Sequence, residues 1–307
     1  MTTQTSTIRP VDTPPATGQA GKRDVEVPVG DRTAGLRRKL AYAVLVAYAL
    51  LMLAPFLWSV STSLKTRQDA NGLSLIPEPL SFIGWEQAWT DLEPALPVLF
   101  FNSFIIAAVV TITNLVLGSM AGYAFARLRF PGREILFLLV LGTLMIPDQL
   151  RLVPIYQILR TLGLLAGDLQ YGGVILVLAV SATSIFLLRQ YFMTIPVALE
   201  EAAKLDGAGF YTIFARVVLP LATPALAAVA ILQFQGTWNG FFWPAVILQQ
   251  RDNWTLPLGL YQFNDLYNAN WPALMAVVVM ATLPIVLLYV FFQRYFVEGV
   301  AAAGVKG

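Results

Sequence analysis

The sequence predicts an all-α, polytopic membrane protein, on three observations. Hydrophobic residues make up 57% of the 307-residue chain and charged residues only 12%, about half the roughly 25% charged share of an ordinary soluble domain. Six apolar stretches, at about 41–60, 99–126, 134–147, 171–188, 225–248 and 272–292, carry no Asp, Glu, Lys or Arg between their flanks. Charges, or Pro and Gly, close each stretch as they close helix ends.

Residues 1–35 mix Thr, Pro, Gly and charges with few large apolar side chains, which predicts a disordered tail. The first apolar run begins only near Leu40, so no secretory signal peptide is expected. Residues 36–307 form the membrane domain. Its first stretch is long enough to cross about 30 Å of hydrocarbon at 1.5 Å per residue. In the loop 61–98, Pro77, Pro79, Pro94 and Pro97 surround WEQAW at 85–89, which predicts a short interfacial helix between rigid turns. Gly118 and Gly122 make a G-x-x-x-G in the second stretch, a pattern that lets two helices approach closely.

The third stretch is short, and the distribution of basic residues decides whether it crosses. With six crossings, fifteen Lys and Arg fall on one side and five on the other; with five, the split is thirteen to seven. The positive-inside rule therefore favours six, with both termini cytoplasmic.

Chemistry is narrowed by what is missing. The chain has no Cys and no His, so thiol nucleophiles, disulfides, His-based triads and the usual zinc sites are excluded. No EF-hand spacing appears and no metal is expected. A net charge of +2 gives no basis for nucleic acid binding. Without an ionisable group inside the apolar stretches there is nowhere to hold a coupled proton or ion. There is also no G-x-x-x-x-G-K-[ST] loop for ATP; GQAGK at 18–22 has the wrong spacing. Any transport must draw its energy from outside these helices. An uncharged, self-sufficient facilitator or channel stays open, as does a scaffold; an intramembrane hydrolase has few candidate groups.

Between the fourth and fifth stretches lies the charged, glycine-broken segment LEEAAKLDGAGF, residues 199–210. Pro196 suits a first helical turn, Glu200 and Glu201 sit where a helix dipole favours anions, and Gly207 suits a left-handed cap. A second helix is expected from Phe210 to Val218, until Pro220 interrupts it. Ala202 and Ala203 keep the surface low, and Val197, Leu205 and Ala208 form an apolar stripe at helical spacing. In the fifth stretch Gln235 and Asn239 share a helix face beside Trp238 and Phe242. Such amides either bridge to a neighbouring helix or line a polar cavity. Gly236, Gly240 and Pro244, four apart, are candidates for a kink or a close approach.

The segment EAAKLDGAGFYTIFARVVLPLATP, from Glu201 to Pro224, resembles the EAA motif of bacterial ABC importer permeases. AGYAFARLRFPG (121–132), FLLRQYFMTIP (186–196), TWNGFFWP (237–244) and AAAGVKG (301–307) are similar to the MalG-like, binding-protein-dependent carbohydrate importer permeases, a likeness that covers nearly all of the chain beyond the tail. The resemblance implies a type I ABC importer permease fold with a cytoplasmic coupling loop at about 194–224. It also implies a second homologous permease, a dimer of ATPase subunits that carry ATP and Mg2+, and an extracytoplasmic substrate-binding protein. This chain then binds no cofactor and is not itself an enzyme. By the same resemblance Glu201 is the charged contact to an ATPase, Ala202, Ala203 and Leu205 its close-approach surface, and Asp206 with Gly207 the turn between two short helices. Leu219 and Pro220 lead into the fifth span, while Val305, Lys306 and Gly307 reach toward the ATPase interface. Gln235, Trp238, Asn239 and Phe242 are candidates for the substrate pathway. The family often carries Asp where this chain has Gly240. A sugar or oligosaccharide is the implied cargo, a glycerol phosphate the alternative within the same family.

Overall fold

The computed structural model describes residues 32–263 and 269–304, which are helices joined by loops with no strand among them. The chain divides into two units, Met1–Leu53 and Ala54–Gly307. In the first, the described residues are the opening turns of α1 (Arg32–Ser63). Its large side chains from Leu40 to Leu53 are exposed, as lipid-facing positions are. The helix begins inside the segment expected to be a tail; the disorder expected for residues 1–31 lies outside the described residues.

The second unit is built around α3 (Leu96–Arg127), 32 residues long. Before it, α2 (Ile83–Thr90) is the short helix that the flanking prolines and WEQAW predicted. After it come α4 (Arg133–Gly142), α5 (Asp148–Thr161), α6 (Leu169–Leu178) and α7 (Ala182–Thr194). The loop segment forms α8 (Val197–Leu205), α9 (Phe210–Ile213), a π-helical turn at Phe214–Val218 and α10 (Leu219–Leu221). Then follow α11 (Thr223–Trp238), α12 (Phe242–Ile247), α13 (Leu256–Leu260) and α14 (Trp271–Gly304).

Among the described residues three helices are long and apolar enough to cross a membrane, and counting each of three bent helix pairs as one crossing gives the expected six. The bends correct the expectation of continuous spans. In the third, α4 runs into a 3₁₀ turn at Thr143–Met145, and the chain then swings by 105° into α5. Pro147 forces the residue before it into an extended conformation, and Ile146 has ψ 112°. In the fourth, α6 and α7 meet at 46° across a break at 179–181. The bent pair of the fifth turns by 77° between Leu221 and Thr223, and the span is broken again further on, where α11 stops at Trp238 and α12 starts at Phe242 with Gly240 in the gap.

Close approach at glycine ties α3 to α7. A Cβ on Gly118 would stand 3.3 Å from the Ser184 Cβ, and one on Gly122 only 3.0 Å from the Arg189 nitrogen. The G-x-x-x-G is thus a packing surface. At the opposite end α2 lies on the start of α14, where Gly84 meets Pro272 and Ala88 packs with Ala273, Ala276 and Val277.

The break between α6 and α7 is held from a distance. Asn114 on α3 is fully buried. Its amide donates to Leu178 O at 2.8 Å, and its Oδ1 accepts from Ser181 N–H at 2.8 Å and Ser184 Oγ at 3.2 Å. Backbone groups freed by a helix break must find partners, because a buried unpaired donor or acceptor costs about 1–3 kcal/mol. One side chain satisfies both edges of this break.

Candidate functional site

α8 has only nine residues, too few to be stable alone, so its ends and its inner face must hold it. Pro196 caps the start. At the other end Gly207, at φ +83°, donates to Lys204 O at 3.0 Å, and Ala208 donates to Ala203 O at 2.9 Å. That pair of bonds is a Schellman motif, which satisfies the last free carbonyls of the helix. A Cβ at Gly207 would meet nothing within 4 Å; glycine is needed there for its backbone angle, not for space.

The two adjacent glutamates point to opposite sides. Glu200 is buried, its Oε1 2.7 Å from Arg127 Nε and its Oε2 accepting from the Tyr123 hydroxyl at 2.9 Å. Side-chain exposures of 11% for Arg127 and 6% for Glu200 make this a desolvated pair. The Arg127 guanidinium also donates to Ile195 O at the entry to α8. Tyr123 is packed on the rings of Phe192, Phe210 and Phe214, with centroids 5.9, 5.6 and 5.0 Å away. Ile213 and Val218 complete the inner face of the loop.

The outer face carries the residues the sequence singled out. Glu201, Ala202, Leu205, Asp206 and Gly207 are exposed, and Ala203 is half-buried. Leu205 is 90% exposed and Tyr211, which the sequence did not single out, 78%. Leu219 is half-buried and Pro220 exposed at the 77° turn into α11. Val305, Lys306 and Gly307 lie outside the described residues.

A cleft of about 560 Å³ opens between the α4–α5 bend, the α6–α7 break and the end of α11. Phe242 lines it, together with Gln233, Gly236 and Thr237 of α11, Gly240 in the gap after it, and Asp148 and Arg151 of α5. The structure does not bring the other expected pathway residues there. Gln235 and Asn239 are exposed on the side of α11 turned away from the cleft. Trp238 is a correction: it is 2% exposed, its indole N–H donates to Ala281 O of α14 at 3.1 Å, and its ring stacks on Phe234 with centroids 5.8 Å apart. A helix turns 100° per residue, so one side of α11 builds the core, another the cleft and a third faces outward.

A helical membrane bundle that presents a short, tightly anchored helix at one end is the build of a permease driven by other subunits. The chain belongs to the family described as binding-protein-dependent transport system inner membrane components, whose family model matches residues 114–302. It is the transport permease component of such an importer, not an ATPase.

The chain is 40% identical to an arabinooligosaccharide transport system permease of Halalkalibacterium halodurans, over 84% of this chain and 93% of that one. It is 33% identical to a diacetylchitobiose uptake system permease of Streptomyces coelicolor, over 83% and 84%, and to an sn-glycerol-3-phosphate permease of Yersinia enterocolitica, over 84% and 94%. A crystal structure of a bacterial ABC transporter involved in import of the acidic polysaccharide alginate contains a chain that superposes with a TM-score of 0.72 at 26% identity, covering 88% of this chain and 99% of that one.

Proposed function

We propose that this chain forms half of the translocation pathway for a sugar or oligosaccharide and passes the work of ATP hydrolysis into that pathway through α8. It crosses the bacterial cytoplasmic membrane with both termini in the cytoplasm. It pairs with a second, homologous permease, docks on a dimer of ATPase subunits that hold ATP and Mg2+, and receives cargo from an extracytoplasmic binding protein. Glu201, Ala202, Ala203, Leu205, Asp206 and Gly207 meet an ATPase, with Leu219 and Pro220 carrying the movement into the fifth span. Val305, Lys306 and Gly307 extend that contact, and Gln235 and Asn239 face the second permease.

The observation that supports this most is the division of α8 into two faces. Its inner glutamate is bound to α3, the helix around which the unit is built, so a push on the outer face cannot be absorbed by a loose loop. The outer face offers a carboxylate beside low alanines and an exposed leucine, a surface another protein can approach closely. The cargo class follows the sugar-transporting relatives.

The test is ATPase activity of the complex purified through a tag on this chain, with and without binding protein and saccharide. Activity should co-purify, and Glu201→Ala should remove its stimulation while leaving membrane insertion intact. A well-folded chain that brings no ATPase with it would overturn the proposal.

A further inference from the structure

The third, fourth and fifth spans each break after a similar length of helix. From the end of the bundle that carries α8, the chain runs 13 residues of helix through α4 and its 3₁₀ turn, 13 through α7 and 16 through α11 before each break. At 1.5 Å per residue these are lengths of about 20 to 24 Å, shorter than a hydrocarbon layer about 30 Å thick. Irregular backbone within that layer is tolerated only when it is buried in protein or lines a water-filled cavity. The break at 179–181 is served by Asn114, and all three border one cleft.

We infer that this cleft is a subsite for an uncharged saccharide, contacted by Gln233, Thr237, Asp148 and Arg151; the inference rests on the permease reading above. Its volume of about 560 Å³ falls in the range of small-molecule sites. The cleft is lined by groups that suit hydroxyls. Gln233 donates to Ser184 Oγ at 2.7 Å, which continues to Asn114, so its amide is fixed from behind with its oxygen left to accept. The Thr237 hydroxyl has no partner among the described residues, and Arg151 Nε is buried without one. Phe241 and Phe242 border the cleft with rings on which sugar C–H faces can pack.

Charge selects the class. Arg151 is ion-paired to Asp148 three residues before it. Their side chains are 41% and 45% exposed, and a pair so exposed adds little to stability. The carboxylate cancels the guanidinium charge at the wall, and a phosphate ester would have to displace it. A neutral sugar hydroxyl can instead accept from arginine and donate to aspartate at once. The wall therefore suits the saccharide importers among the relatives better than the glycerol phosphate ones.

The chain contains no cysteine, so a single introduced thiol reports on the cleft without background. In the tagged complex, Thr237→Cys and, from the opposite wall, Ser181→Cys are exposed to a water-soluble methanethiosulfonate, with Leu139→Cys on the apolar outer face of α4 as control. Both cleft thiols should react faster than the control. Arabinotriose or diacetylchitobiose should slow them by a factor of 1 + [L]/Kd, about threefold at twice the Kd, and glycerol 3-phosphate should not. Cleft thiols as slow as the control, no protection by either saccharide, or protection by glycerol 3-phosphate alone would overturn the inference. ATPase activity in the same preparation reports separately on the permease reading, so the two can fail independently.

Discussion

Replacing Glu200 with glutamine separates anchoring from contact, because the neighbouring Glu201 is left untouched. The change leaves Arg127 charged and only 11% exposed, with no carboxylate to balance it. Removing one partner of a buried pair costs about 3–5 kcal/mol, and every 1.4 kcal/mol is a factor of ten in an equilibrium. The docked state of α8 should therefore lose at least about two decades relative to undocked states, since the helix has no stability of its own to fall back on. Hydrogen exchange in the purified complex should show faster exchange across 197–218 with α3 unchanged. Uptake in proteoliposomes should fall while basal ATPase activity persists. The double change Glu200→Leu with Arg127→Met removes both charges and should restore much of the protection, since apolar replacements of a buried pair are often neutral. Wild-type protection and wild-type uptake in Glu200→Gln would refute the reasoning.

At Gly207 a valine has open space around its Cβ but must adopt φ +83°, which costs an L-residue about 1–2 kcal/mol; uptake should drop with insertion unchanged, and asparagine, which tolerates that region, should do less harm. Replacing Asn114 with leucine removes the partners of Leu178 O and Ser181 N–H, each worth about 1–3 kcal/mol when left buried and unpaired. A lower thermal midpoint of the detergent-purified complex is the expected result.

Much of the bundle was legible because each apolar stretch is long and cleanly flanked. The caps of α8 were legible because Pro196 and Gly207 mark helix ends by their own backbone preferences. The break in the fourth span was not: no proline or glycine lies at 179–181, and the group that stabilises it, Asn114, stands 67 residues before Ser181. The orientation of the adjacent glutamates was equally hidden, since both suit a first helical turn and only the approach of Arg127 and Tyr123 decides which is buried. On α11, Gln235 with Asn239 and Gln233 with Thr237 have the same four-residue spacing. Which pair meets the cleft follows from the side on which Trp238 docks against α14, and that is a tertiary fact.

The adjacent glutamates also differ in where a loss can be repaired. The groups that bind Glu200 are Arg127, Tyr123 and the surrounding rings of this same chain. A damaging change there has to be compensated within this one gene. Glu201 faces outward, so under the proposed docking its match is written in the gene of another subunit, and the two surfaces can be retuned together. One half of a nine-residue helix is thus tied to its own chain's history, while the other is open to exchange of partners.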